Sequence, residues 1–394
     1  MKTVLSIFFL AAAVVAPSAS AYELSGNLAA ELQLFPQQAR QPQQLDQNLT
    51  FSFKPKLRQD WNEGNDELTV ELFMRVDNKD DERQHADIRE LKWLHVAGND
   101  EWRVGINTVF WGVTESQHLV DVINQIDALE GLDGEDKLGQ PMIQYSTIQD
   151  WGVLHLFVLP GFREAAFHSA EGRLRLPVAV DSSQTLYQSS DEDRHIDYAL
   201  RYTRLLGDSE IGLFWFDGTN REPLMQAVTS GSVVVLRPYY ELMSQFGLDL
   251  QSIIGDWIWK LEMIHRRLDS GAFTAMTGGF EYTFYGIFDS SIDMGTLLEY
   301  SWEDRDQNAG AFDNDLFGGL RFAFNDVQST EILAGMFVDV DNGSQSIRTE
   351  ASRRLGDSWK LSAELQLFNA VDANDPLQIF SRDDYVMVEL ARYF

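Results

Sequence analysis

The chain has 394 residues, a formal charge of −30, 12% aromatic residues and no cysteine. With 61 acidic residues against 31 basic ones it would repel phosphates, which excludes nucleic acid as a partner. The lack of cysteine excludes disulfide scaffolds, thiol nucleophiles and thiolate metal centres, and the length is enough to close a large barrel.

The first segment reads as an export signal. Lys2 is the sole charge before an apolar run at 4–16, Pro17 breaks that run, and Ala19-Ser20-Ala21 has the small residues of a cleavage site. This predicts a cleaved signal peptide at 1–21 and a mature chain at 22–394. The run is shorter than the roughly 18–20 apolar residues a spanning helix needs, and the longest later candidates, 153–159 and 232–236, are shorter still. The exported chain is therefore periplasmic, secreted or a β-barrel in an outer membrane.

Periodicity decides among these. Leu24, Leu28 and Leu32 alternate with Glu23, Asn27 and Glu31, and Leu49, Phe51, Phe53 and Leu57 oppose Thr50, Ser52, Lys54, Lys56 and Arg58. The same rhythm returns at Leu68–Val76, at 196–203 and at 358–369, in segments of about 10–13 residues that suit tilted membrane strands better than soluble ones. Tight polar turns such as Gly98-Asn99-Asp100, Gly207-Asp208, Gly255-Asp256 and Gly356-Asp357 separate them. They alternate with longer connections near 36–47, 78–87, 111–140, 160–194, 218–238, 303–312 and 370–383. The expected fold is all-β: a transmembrane antiparallel up-and-down barrel of about 18 strands, with 16 as the alternative. Short turns would face the periplasm and long loops the exterior.

The segment 111–141 differs from the rest. Leu119, Val122, Ile123, Ile126 and Leu129 recur at helical spacing before Gly131 and Gly134, which predicts one short amphipathic loop helix. It would either fold into the lumen or lie on the outer rim. Folded in, its acidic residues would make an acidic constriction that favours cations; the candidate constriction residues are Asp121, Asn124, Asp127, Glu130, Asp133 and Asp136.

The polar strand faces should point inward. That gives candidate lumen-lining residues Lys54, Lys56, Arg58, Glu71, Arg75, Arg103 and Arg201 in the first half of the chain. In the second half they are Lys260, Glu262, Glu281, Glu299, Arg321, Glu350, Arg354, Glu364 and Glu389. Acidic clusters such as Asp80-Asp81-Glu82, Asp191-Glu192-Asp193 and Asp383-Asp384 either hold divalent cations or keep the loops solvated. Asp339-Val340-Asp341-Asn342-Gly343 is similar to an EF-hand loop, but its valines fall where acidic ligands belong. Trp61, Trp93, Trp111, Trp151, Trp215, Trp257, Trp302 and Phe35 sit near strand ends and are expected in interfacial girdles, and Phe73 and Phe368 are too few for a lumenal stacking track. No G-x-S-x-G, H-E-x-x-H or phosphate-binding loop is present, and no His pattern forms a recognised catalytic motif, so no enzyme and no cofactor are expected.

The last strand, with Val386, Val388 and Leu390, ends on Phe394. Together with the export signal and the strand rhythm, this makes the whole mature chain resemble Gram-negative outer-membrane porin-type β-barrels. Residues 134–141, 217–223 and 314–317 also look like stretches of a poorly characterised porin-like family, which brings no substrate and no binding residues. The resemblance implies location in the outer membrane and contact with its lipid and lipopolysaccharide. It also implies recognition by the outer-membrane insertion machinery through Phe394, and leaves a homo-oligomer open. The expected function is a porin-like channel for passive diffusion of small polar solutes, with a preference for cations. The alternatives are an outer-membrane component of a lipid or envelope export system, or a surface binding or adhesion barrel.

Overall fold

The computed structural model describes residues 22–394 except 232, 306–309, 311 and 374. The expected signal peptide lies outside the described residues. The strands, in chain order, are β1 (Tyr22–Leu34), β2 (Gln47–Trp61), β3 (Asp66–Asp77), β4 (Ala86–Ala97), β5 (Asp100–Asn107), β6 (Gln140–Gln149), β7 (Gly152–Pro160), β8 (Leu186–Tyr187), β9 (Ile196–Leu206), β10 (Ser209–Thr219), β11 (Leu224–Ser230) and β12 (Val233–Tyr240). There follow β13 (Leu242–Ile254), β14 (Trp257–Leu268), β15 (Gly271–Phe284), β16 (Asp293–Glu303), β17 (Asn314–Ala323), β18 (Glu331–Asp339), β19 (Gln345–Leu355), β20 (Trp359–Asn369) and β21 (Tyr385–Tyr393). β8, β11 and β12 form a small sheet among the loops, and the other 18 form one sheet.

Each wall strand pairs antiparallel with the next one in the wall. β21 returns to pair with β1 over Asn27–Leu34, which closes the barrel and leaves no sheet edge. Eighteen strands form it, not sixteen. Phe394 extends the seam by exchanging backbone hydrogen bonds with Gly26.

Cross-strand register keeps one face of every strand together. Leu28 of β1 sits opposite Phe53 of β2, and Leu32 opposite Leu49. These side chains share the outward face, where Leu28, Leu32 and Leu49 are exposed, as are Leu213, Phe246, Leu298, Leu316, Val388 and many others. Left in water, such a surface would cost about 25 cal/mol per Å². In hydrocarbon it costs nothing, so the outer face is built for a bilayer. Trp61, Trp93, Trp151, Trp257, Trp259, Trp302 and Trp359 are half exposed on it.

The connections differ at the two ends. At one end they are short: 62–65, 98–99, 150–151, 207–208, 255–256, 285–292, 324–330 and 356–358. Gly98, Gly207, Gly255 and Gly356 adopt φ of 63–69° there, the left-handed conformation that two-residue hairpins require. At the other end lie 35–46, 78–85, 108–139, 161–195, 220–241, 304–313, 340–344 and 370–384, with 269–270 as a tight exception. The long loops are tied together. Arg173, fully buried, bonds the Asp383 carboxylate at 2.7 Å and the Leu45 carbonyl at 3.1 Å, joining three of them.

The expected helix in 108–139 is absent. The segment folds back on itself instead, with Asp127 N bonding Asp136 O, Leu138 N bonding Gln125 O, and an Ile126–Lys137 bridge. The Asn124 side chain takes the place of helical hydrogen bonds. Its oxygen accepts from Val109 N, and its nitrogen donates to the carbonyls of Asn107 and Leu138. Val120, Val122, Ile123 and Leu129 are all buried, the first three against the barrel wall and not along a helix face.

Candidate functional site

The loop 108–139 leaves β5 and crosses the bore. Its near part hangs on two wall carboxylates. Glu262 of β14 accepts from Val113 N (2.7 Å), Thr114 N (3.1 Å), Thr114 Oγ1 (2.7 Å) and Val120 N (3.2 Å). Glu299 of β16 accepts from Glu115 N, Ser116 N and Ser116 Oγ at 2.6–3.0 Å. Gly112 makes the first approach possible: its φ is +139°, and a Cβ there would lie 2.9 Å from the Glu262 carboxylate. Arg221 adds a third anchor, donating to the Ile123 carbonyl while paired with Asp197 at 2.8 Å.

The far part of the loop docks on basic residues of β2–β4, nine places around the 18-strand ring from β14 and β16 and so on the opposite wall. Arg75 pairs with Glu130 (2.6 Å) and Glu31 (3.0 Å), and Arg89 pairs with Asp127 (2.5 Å). Lys54 approaches Asp136 at 4.0 Å, and Arg348 of β19 pairs with Asp133 at 2.6 Å. Asp121 pairs with Lys137 of the loop itself at 3.0 Å. The candidate constriction residues are thus brought together in the bore, Asn124 as the loop's internal clasp and each of the five acids beside a base. Burial pushes the Asp127 carboxyl up, but the His85 hydrogen bond and the Arg89 charge outweigh it and hold the group at about 2. Burial pushes Asp121 and Asp136 up in spite of their cations.

Backing the loop is an apolar layer that alternation did not foretell. Trp111, Val120, Val122 and Ile123 pack on Met142, Phe157, Leu159, Phe214, Phe216, Met243 and Ile264 of the inner wall. Trp111 is therefore no girdle residue; it is 5% exposed, and its ring lies 5.2 Å from that of Phe214. Phe35 is likewise buried, against Tyr385 and beneath Arg173. The signal was present in sequence, since 153–159 and 211–216 are apolar at nearly every position, the mark of strands with apolar surroundings on both faces, here the outer surface and the loop. Inward aromatics also outnumber Phe73 and Phe368: Phe312 stacks on Phe337 at 4.0 Å, and Phe317 lies 4.9 Å from Phe337.

The rest of the inner wall is charged. Every candidate lumen-lining residue falls on the inward face by register. Lys56 bridges Glu71 (2.8 Å) and Glu90 (3.2 Å), Arg58 pairs with Glu67 (2.8 Å), Arg103 with Glu101 (2.7 Å) and Arg201 with Asp249 (2.8 Å). Lys260 pairs with Glu281, Arg321 with Glu115 at 2.7 Å, and Arg348 with Glu350 at 2.6 Å and Glu364 at 3.2 Å. Arg354 donates to Ser329 at the turn end, and Glu389 stands opposite Glu31 in register. Although they face into a closed barrel, the side chains of Lys56, Arg58, Arg321 and Glu350 keep 41%, 50%, 43% and 43% of their exposure. Above the loop, between it and β13–β20, lies a cavity of about 870 Å³. Seven carboxylates and four guanidiniums line it, among them Glu115, Glu135, Glu303, Arg266 and Arg305.

Two arrangements bear on catalysis and metals. Ser146 Oγ lies 2.7 Å from His155 Nδ1, but Ser146 is buried and no carboxylate bonds His155 among the described residues, so no triad is assembled. His85 Nε2 and the carboxylates of Asp127 and Glu130 lie within 4.8 Å of one another, yet both carboxylates are already neutralised by Arg89 and Arg75.

A closed eighteen-stranded antiparallel barrel, apolar outside and charged within, with one long loop laid across its bore, has the architecture of a porin-type outer-membrane β-barrel. Solved structures similar to it include a loop-deletion mutant of OmpT, an outer membrane protein of Vibrio cholerae, at 10% identity over 96% of this chain and 100% of that one, with a TM-score of 0.47. The in-vitro folded trimer form of OmpT is similar at 9% identity over the same shares, with a TM-score of 0.47. A mutant of the Rh. blastica porin is similar at 13% identity over 95% of this chain and 100% of that one, with a TM-score of 0.46. No protein-family model matches the chain, and no curated protein matches it.

Proposed function

We propose that this barrel is a channel of the Gram-negative outer membrane, through which small polar solutes diffuse passively, with a preference for cations. The observation that carries the reading is the exposure of Lys56, Arg58, Arg321 and Glu350 inside a closed wall, since charges with water-sized space around them line a wet path and not a plug. The loop 108–139 narrows that path. Its acids pair with bases of the wall or of the loop itself, so the cation preference rests on the excess of acidic over basic residues in the chain, 61 against 31. The path needs no cofactor, no catalytic group and no energy coupling. Outside, the barrel meets lipid and lipopolysaccharide, and its Phe394 end is the segment an insertion machinery would read.

The seam argues against lateral release of lipid. β1 and β21 share eight residue pairs, as many as β7 with β9 or β18 with β19, and Phe394 adds to them. The test is single-channel recording of the refolded mature chain in a planar bilayer under a KCl gradient. Stable steps with a cation-selective reversal potential are expected. Silence from folded, heat-modifiable protein would refute the channel.

A further inference from the structure

One wall of the cavity above the loop is a row of rings. In the register Phe317 of β17 lies opposite Phe337 of β18, Phe337 opposite Ser346 of β19, and Ser346 opposite Phe368 of β20, all on the inward face. The next inward row toward the turn end places Gly319 opposite Gly335. Phe317 packs onto that bare backbone, since a Cβ at Gly335 would lie 2.6 Å from its ring. Two residues from the connections extend the row. Phe312 stacks on Phe337 with centroids 4.0 Å apart, and the Phe380 ring lies 5.4 Å from that of Phe368. All five rings line the cavity.

The loop 108–139 completes the slot from the other side with Ile126 and Leu132. Both line the same cavity, and each is 40% exposed although it lies inside a closed barrel. Apolar side chains bare on the outer face meet lipid, whereas these two meet the cavity. Covering them and the rings with an apolar body releases water and is favourable. Charge offers a solute no such gain. Arg348 pairs with Asp133 and Glu350, Arg266 with Glu222, Arg305 with Glu303 and Arg221 with Asp197. The remaining lining acids, Glu115, Glu135 and Asp121, bond Arg321, His118 and Lys137. Phenylalanine carries neither O–H nor N–H, so the row offers a sugar few partners. Its one hydroxyl is that of Ser346, to which Gln366 donates at 2.8 Å.

We infer that this slot is a binding site for uncharged, ring-bearing solutes, of which aromatic alcohols are the simplest. The ring of the solute would join the cluster at Phe337 and pack on Ile126 and Leu132, and its hydroxyl would meet the O–H of Ser346. A volume of about 870 Å³ holds a molecule of two fused rings. The inference rests on the channel reading, which it narrows. A site on the path must bind well enough to favour the solutes that fit it and weakly enough to let them go.

The experiment titrates the full mature chain, refolded in detergent, with 2-naphthol by calorimetry, with empty micelles at equal detergent concentration as the blank. Saturable binding is expected, with Kd of about 10⁻⁴–10⁻³ M for a ligand of this size. Glucose should bind more weakly, and so should 2-naphthoate, whose carboxylate finds no unpaired cation among the described residues that line the cavity. Phe337→Ala should weaken 2-naphthol binding about tenfold. Ile126→Ser/Leu132→Ser should weaken it as well, and because both side chains are exposed this double variant folds and decides the matter if Phe337→Ala does not. The inference is overturned if folded wild-type protein gives no saturable heat beyond the micelle blank, if glucose or 2-naphthoate binds as tightly as 2-naphthol, or if either folded variant keeps the wild-type affinity. Binding is read without current. A silent barrel that binds 2-naphthol would therefore refute the channel and leave the site standing, and a conducting barrel that does not bind it would refute the site alone.

Discussion

The inward loop should be releasable by removing the two carboxylates that hold it. In Glu262→Gln/Glu299→Gln, the barrel wall keeps its shape and volume, but the acceptors of seven hydrogen bonds lose their charge, and an NH2 group now faces backbone N–H donors such as that of Val120. Hydrogen bonds to a charged group contribute about 1.5–3 kcal/mol each, and neutral ones about half that. Allowing for the oxygen each Gln retains, the loss is about 2–4 kcal/mol per position. That is roughly a 30- to 1000-fold fall in the ratio of docked to undocked loop from each substitution. The Arg75–Glu130 and Arg89–Asp127 pairs stay in place, so the loop swings on its far anchors and does not leave the bore. In planar-bilayer recording the double variant should show larger steps and added upward substates, whereas the wild type holds one level. An unchanged step in heat-modifiable double variant would refute the claim that this loop limits the current.

Gly112→Ala should reproduce that behaviour, since its Cβ would push on the Glu262 carboxylate from a backbone conformation alanine disfavours; a wild-type current trace would refute the close approach. Arg58→Ala removes a half-exposed lumenal cation and should shift the reversal potential toward cations without loss of stability, whereas Arg75→Ala leaves Glu31 and Glu130 buried and uncompensated and should cost about 3–5 kcal/mol in urea unfolding. Acid should loosen the loop. Asp127 is held at about 2, below its ordinary 3.8, so its contribution is complete above pH 3.8 and lost as pH falls toward 2; current noise should rise in that window and not between pH 4 and 6. His85, whose burial is outweighed by Asp127 so that its pKa is raised above 6.5, contributes fully below pH 6.5 and loses that contribution as pH rises through its raised value. Phe394→Ala should lower the yield of folded barrel in cells, and an unchanged yield would count against its part in assembly.

Strand rhythm carried most of the fold because a membrane barrel repeats one physical demand eighteen times. Each strand must be apolar toward lipid, and that demand is local enough to be read in ten residues. The inward charges followed by elimination, as the other half of the alternation. What alternation could not carry is the content of the bore. Leu119, Val122, Ile123, Ile126 and Leu129 keep helical spacing by coincidence, because an irregular loop packed between the wall and the cavity must also bury apolar residues at short intervals. Whether it coils or folds back is decided by partners distant in sequence, Glu262 and Glu299 above all, which no local pattern announces. Trp111 misleads for the same reason: it sits just past a strand, as a girdle residue does, but the chain turns inward there.

The charges of the bore explain how such a loop finds its place. Among the candidate lumen residues, bases outnumber acids on β2–β5 and acids outnumber bases on β14–β21, so the empty barrel has a more basic arc facing a more acidic one. The loop is matched to both. Its first part, 113–120, offers bare backbone N–H groups and docks on the acids, and its second part, 127–136, offers carboxylates and docks on the bases. Reversing it would set carboxylate against carboxylate on one wall and N–H donors against cations on the other. The same pairing leaves the loop's acids neutralised, so uncompensated negative charge lies at the rim, at Asp315 and Asp339, where a permeating cation meets it first.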